Sequence, residues 1–217
     1  MIRGRGFGSS PFVFRLATRS LVERVSGSCY DVYIQTPREK DKIMIEEYTN
    51  TYRDIILNAS FGQVEQSAIW YCDAEKVALE VARNLDTTLE VGASVVSAFS
   101  PRERWTSNVE KAISFSLGQK VTGLSNNLKM AEASIHLGFD ALKGPKTNAF
   151  ARAIAGDQQA VVIDVWMMRA ANMDKDNPNK GQYIELSQAV KRVARQFEMA
   201  PRTCQALIWI LVRGSAL

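Results

Sequence analysis

The sequence predicts an all-α fold, and three observations carry that expectation. Apolar residues recur at helical spacing through most of the chain beyond residue 36. Two proline-containing capping boxes, Thr36-Pro37-Arg38-Glu39 and Ser100-Pro101-Arg102-Glu103, mark helix starts. In each, a hydroxyl and a carboxylate three residues apart satisfy orphan N–H groups, and the ring fixes φ for the first turn. Only Asp31 to Gln35 alternates as a short strand would.

The elements follow in order. Residues 1–22 hold four arginines and no acid, and are rich in Ser and Gly. That composition fits an organelle transit peptide, a phosphate-contacting arm or a flexible tail. Thr36 opens a helix to about Asn58, and a second runs from about Val64 to Leu85. Leu89 to Phe99 is apolar enough for a buried helix. The Ser100 box starts a helix to about Leu117, and Asn126 to Leu137 forms the next. Gly144-Pro145 breaks the chain ahead of a short helix from Lys146 to Ala155. Ala160 to Ile163 is extended or buried, and Asp164 stands where an N-cap belongs, before a helix to about Asn172. After the polar loop Asp174 to Gly181, two helices follow, Tyr183 to Phe197 and Pro201 to Arg213. The organisation is a basic arm, 1–22, and one helical domain, 23–217.

Composition excludes several classes. The chain has 217 residues, 46% hydrophobic and 23% charged, which are ordinary globular values. The longest wholly apolar run, Ala206 to Val212, is far short of the ~20 residues of a membrane helix. Three scattered cysteines, Cys29, Cys72 and Cys204, cannot make a four-thiolate site, and a single histidine, His136, excludes two-histidine chemistry. Carboxylates, lysines and hydroxyls are left to act. Charge is uneven: residues 23–99 hold 7 basic and 13 acidic residues, and residues 100–217 hold 16 basic and 10 acidic. The basic half is compatible with nucleic acid, and equally with a solvated surface.

The sharpest feature is Leu142-Lys143-Gly144-Pro145-Lys146-Thr147, followed by Ala160-Val161-Val162-Ile163-Asp164-Val165-Trp166-Met167-Met168-Arg169. Lys146 starts one helix and Asp164 caps another 18 positions later. The partial positive charge of a helix N-terminus disfavours an ammonium and favours the free amine that a nucleophile needs. The same charge favours an ionised aspartate, which can stabilise a cationic sugar-like transition state.

This run resembles the helix-hairpin-helix DNA glycosylase superfamily, the group of endonuclease III-like and adenine glycosylases. Its signature is a Gly-rich hairpin, Lys-Thr, then an aspartate after a Val/Ile run and before an Arg-containing helix. Ser97-Ala98-Phe99 with Asn108-Val109-Glu110-Lys111-Ala112 is similar to its early helix pair. Asn127-Leu128-Lys129-Met130-Ala131 is similar to its Asn-x-Lys-Ala helix, and Ile208 to Gly214 to its closing helix. The ordered set spans about 90–214. The hairpin here is two residues shorter than the family's, Pro145 has no N–H to give a phosphate, the cluster-binding cysteines are absent, and Val165-Trp166 stands where relatives often have Thr-His.

The resemblance implies a two-lobed helical fold with a cleft. It implies a DNA glycosylase that flips a base and cleaves its N-glycosidic bond, with Lys146 as nucleophile and AP lyase, and Asp164 assisting. Lys143, Gly144 and Thr147 of the hairpin, with Lys129 and Arg152, become DNA contacts, and Phe99 and Trp105 become walls of the base pocket. DNA is the partner, with no membrane, no cofactor and no metal, and the chain is a monomer. Its place is the cytoplasm of a bacterial or phage-infected cell, with organelle targeting by the arm left open. The alternatives are a non-catalytic DNA-binding module and a phage-type base-modification protein on the same scaffold. Other residues read as structural: Trp166 and Trp209 as core, Asn108 and Asn126 as caps or turns, and His136 as packing. No motif supports Trp70-Tyr71 as a pocket wall.

Overall fold

The computed structural model describes residues 39–214, a helical unit whose elements follow from the sequence signals with a few shifts. Thr36, the Asp31–Gln35 strand and the arm 1–22 lie outside the described residues. The helices are α1 (Glu39–Ile56), α2 (Phe61–Asn84), α3 (Leu89–Ala98), α4 (Trp105–Ser116), α5 (Ser125–Leu137), α6 (Pro145–Ile154), α7 (Val165–Ala170), α8 (Lys180–Gln196) and α9 (Pro201–Arg213). A 3-10 turn, Gly138–Ala141, joins α5 to α6. The described residues contain no strand.

Two helix starts rest on capping boxes that lie upstream of the expected boundaries. Ser60 accepts from the Gln63 N–H and Gln63 reaches back to the Ser60 N–H, so α2 begins three residues before Val64. Asn179 and Gln182 do the same for α8, three residues before Tyr183. Both are the reciprocal cap, with an amide in place of the carboxylate.

The Ser100 box is a correction. The helix starts at Trp105 with Arg104 at the N-cap position and no side-chain cap. Ser100 instead donates its hydroxyl to the Ser97 carbonyl, closing the end of α3. Arg102 takes φ +63°, a left-handed conformation that no helix continues through. Glu103 is drawn away by Lys111 and Ser107 of α4.

The buried apolar residues form two clusters. The first joins α2, α3, α4, α5 and α6 around Val81, Val95 and Ile154. The second joins α1, α7, α8 and α9 around Tyr52, Met167, Leu186 and Ile208. Helix α9 serves both: Ala206 belongs to the first and Leu207 to the second. This explains why Ala206–Ile208 is buried without a polar face.

Helices α2 and α3 pack tightly through Gly92, where a Cβ would collide with the Ala78 carbonyl oxygen. The obstacle is backbone, which cannot step aside. Gly92→Ala is therefore expected to destabilise the fold by about 3 kcal/mol, the upper part of the range for overpacking, measured by urea denaturation. A variant as stable as the parent removes this account of the α2–α3 contact.

Candidate functional site

A cavity of about 270 Å³ opens where α2, α4, α6, α7 and α9 meet. The chain has four tryptophans, and all of them, Trp70, Trp105, Trp166 and Trp209, line it. Trp70 is the centre: its ring lies 5.3 Å from Trp105, 5.9 Å from Trp209 and 6.0 Å from Phe150, and meets Tyr71 edge-on at 4.7 Å. Indole faces at these separations form a wall on which a planar, π-rich ligand can stack. Concave, mostly apolar walls with a few polar groups are what small planar ligands require.

Lys146 and Asp164 both line this cavity. Pro145 sets the first turn of α6, which places Lys146 at its second position, half-buried at the cavity edge. Asp164 caps α7: Oδ1 accepts from the N–H groups of Trp166 (2.9 Å) and Met167 (3.0 Å). Its Oδ2 accepts from the Trp209 indole N–H at 3.0 Å. The carboxylate thus ties α7 to α9 and aims one of the four indoles. Its three N–H partners stabilise negative charge at the cavity wall.

Tyr183 of α8 holds the two residues' backbones in register. Its hydroxyl donates to the Val161 carbonyl at 3.0 Å, with the Pro145 carbonyl at 3.3 Å, and accepts from the Ile163 N–H at 3.4 Å. Pro145 and Ile163 are the neighbours of Lys146 and Asp164. Burial pushes the Tyr183 hydroxyl up to about 12, so it remains a donor at neutral pH.

The turn between α3 and α4 forms another side. Asn127 of α5 donates to the Pro101 carbonyl at 3.3 Å, pinning the turn from below. Lys111 and Ser107 hold Glu103, and the Lys111 hydrogen bond keeps the Glu103 carboxyl below its ordinary value of 4.5. Held at both ends, the turn presents Arg102 and Arg104, exposed, at the cavity. Arg213 adds a third guanidinium, 4.6 Å above the Trp209 ring. A left-handed arginine between two anchors is backbone strain retained beside the cavity.

The floor is polar. Asn108 of α4 and Gln205 of α9 are 2% and 4% exposed. Tyr71 donates to Gln205 Oε1 at 2.7 Å, and burial raises its hydroxyl far above the ordinary tyrosine value. Arg202 lies across the Tyr71 ring at 5.3 Å and donates to the Ala153 carbonyl at 2.8 Å, fixing α9 against the end of α6.

The structure brings together Lys146, Asp164 and Trp105 of the residues singled out by sequence. Lys143, Gly144 and Arg152 line a separate, open depression of about 760 Å³, together with Lys180 of α8. Arg152 is held there by Asn148 Oδ1 at 2.9 Å and lies 4.7 Å over Phe139. Lys129 is exposed on α5 and lines neither hollow.

Three residues sit differently from their expected roles. Thr147 is buried and donates its hydroxyl to the Gly144 carbonyl, so it braces the first turn of α6 instead of facing solvent. Phe99 is 3% exposed, packs edge-on against Phe115 at 5.6 Å and does not line the tryptophan cavity. It ends α3, whose every residue from Gly92 to Ala98 is buried. His136 is exposed at the end of α5 rather than packed.

Sequence reasoning missed Trp70, Trp166, Trp209, Asn108 and Gln205 as cavity residues, and Arg102, Arg104 and Arg213 as its cations. The usable signal was composition: four tryptophans on four different helices, three of them within four positions of an arginine.

The chain matches, over residues 34–216, the profile of a family of unknown function, DUF7178, and belongs to that family. Comparison with the curated proteins and with the solved structures gave no match.

Proposed function

We propose that the chain is a DNA glycosylase-like enzyme that takes a flipped nucleotide into the tryptophan cavity and cleaves its N-glycosidic bond. The observation that carries this reading is that Lys146 and Asp164 line one cavity whose walls hold every tryptophan of the chain. A base inside a duplex is stacked and its C1′ shielded, so chemistry there needs the nucleotide extruded into a pocket. The indoles replace the stacking that the base loses. The exposed arginines at the cavity meet phosphates on either side of the flipped nucleotide.

In the chemical step, the Lys146 amine, having given a proton to water, adds its lone pair to C1′ as the C1′–N bond breaks. The bonding pair leaves with the base, which takes a proton. Asp164 offsets the positive charge that develops on the sugar. Loss of the amine proton, and cleavage of C1′–O4′ with O4′ taking a proton, then give a protonated imine between Lys146 and the sugar; loss of a C2′ proton expels the 3′-phosphate and nicks the strand. The resemblance of the Lys146–Asp164 run to helix-hairpin-helix glycosylases, and the division of the core into two clusters, support this reading. The partner is DNA, bound by a monomer.

One observation favours a second reading, a non-catalytic base-binding module or a base-modification protein on the same scaffold. The Asp164 oxygens already accept three N–H bonds from the protein, as a purely structural cap would. Incubation with oligonucleotides carrying damaged and modified bases separates the two: the enzyme releases a base, and the module binds without releasing one.

The open depression beside α6 gathers Lys143, Arg152 and Lys180 around Asp157, and in this reading the three cations meet the DNA backbone. Binding is then expected to weaken steeply between low and moderate salt, and Lys143→Ala with Arg152→Ala to weaken binding to all sequences alike, roughly 10-fold at moderate salt. The measurement is fluorescence anisotropy across a salt series. An unchanged salt slope in the double variant takes this face out of the interface.

A further inference from the structure

We propose that Asn108 and Gln205 read the edge of the base that enters the tryptophan cavity, and that this base carries a hydrogen-bond donor and an acceptor side by side. The inference rests on the reading of the cavity as a base site and adds what decides which base it takes.

Asn108 is the stronger observation. It lines the cavity, is 2% exposed, and its Oδ1 is buried with no hydrogen-bond partner. A buried amide oxygen left unpaired costs stability, so a fold keeps one where something else uses it. The residue is on α4, whose buried positions are Asn108, Ala112 and Ser116. Ala112, one turn further along the same helix, is fully buried and apolar.

Gln205 complements it from α9. Its Oε1 is occupied by the Tyr71 hydroxyl at 2.7 Å, which fixes which way the amide faces. Tyr71 itself is locked as a donor, because burial keeps its hydroxyl protonated. The Gln205 amide nitrogen is therefore the group that remains to meet a ligand in the cavity that Gln205 lines. An acceptor from one helix and a donor from another match the amide-like edges of nucleobases, where N–H and C=O or ring N alternate. Stacking on the indoles accepts any base; a pair of buried amides rejects one that lacks the complementary edge, because its own polar groups then stay unpaired.

The test uses the full chain and DNA duplexes in which one base faces an abasic-site analogue and is free to leave the helix. The base is adenine, cytosine, guanine, thymine or uracil, or one of two nonpolar shape mimics, difluorotoluene for thymine and methylbenzimidazole for adenine. Tryptophan fluorescence reports entry, since all four indoles line the cavity. At least one natural base is expected to bind about tenfold or more tightly than either mimic. Asn108→Leu is expected to bring that base to the level of the mimics while its thermal midpoint equals or exceeds the parent's, because it removes an unpaired buried group. Gln205→Glu keeps an acceptor for Tyr71, removes the N–H donor, and is expected to lower the same preference.

Equal binding of natural bases and mimics overturns the inference and leaves the base site standing. A clear loss of stability in Asn108→Leu also overturns it, since the amide then holds the fold. If no duplex quenches the fluorescence beyond a fully paired control, the base site itself fails and takes the inference with it.

Discussion

Lys146→Ala is expected to abolish the covalent protein–DNA adduct that borohydride traps from a cognate or abasic oligonucleotide. The imine between the lysine amine and the sugar is the species that borohydride reduces, and alanine offers no amine. The loss should be complete, not partial. It should come without loss of fold: Lys146 stands half-buried in the first turn of α6, whose start is set by Pro145 and braced by Thr147. A stability change within about 0.5 kcal/mol is expected for such a position. If the variant still releases base at the parent's rate but no longer nicks the strand, water is the nucleophile and Asp164 carries the cleavage step alone.

Asp164→Asn is expected to slow base release by about 10²–10³-fold, the usual cost of removing one group that stabilises transition-state charge. The structure adds a second consequence. The carboxylate accepts from the N–H groups of Trp166 and Met167 on one oxygen and from the Trp209 indole on the other. A carboxamide has only one oxygen, so whichever way it turns, its NH2 faces a donor. The variant should therefore lose stability as well, by about 1–3 kcal/mol. Adding Trp209→Phe removes the conflicting donor. The double variant should recover stability without recovering base release, and thermal melts beside single-turnover kinetics read both. Recovery of activity in the double variant would reassign Asp164 to a purely structural role.

The helical signals read well because each is local. The Asp164 cap and the bounds of α9 depend on residues within one turn, and both stand where the pattern placed them. The Ser100 box failed because its partners lie elsewhere: Lys111, eight positions on, and Asn127 of α5 hold the turn in another shape. The cavity was half legible. Lys146 and Asp164 sit in a recognisable run, whereas its aromatic walls come from residues 70, 105, 166 and 209, which no spacing rule connects. Trp166 and Trp209 look like core positions from helical periodicity, and both are only partly buried because a cavity lies against them. Thr147 and Phe99 show the reverse: motif position suggested a surface or pocket role, and the hydroxyl closes a turn while the ring fills the core.

The claim at the centre of this account is that the tryptophan cavity is where a base is cut from DNA. The direct measurement is base release, followed by mass spectrometry, from a panel of oligonucleotides with unmodified, damaged and modified bases, with the parent and Asp164→Asn side by side. The account predicts at least one base released by the parent, and at least about 10²-fold more slowly by the variant. No release from any oligonucleotide by a folded, DNA-bound parent, or equal release by both proteins, contradicts it.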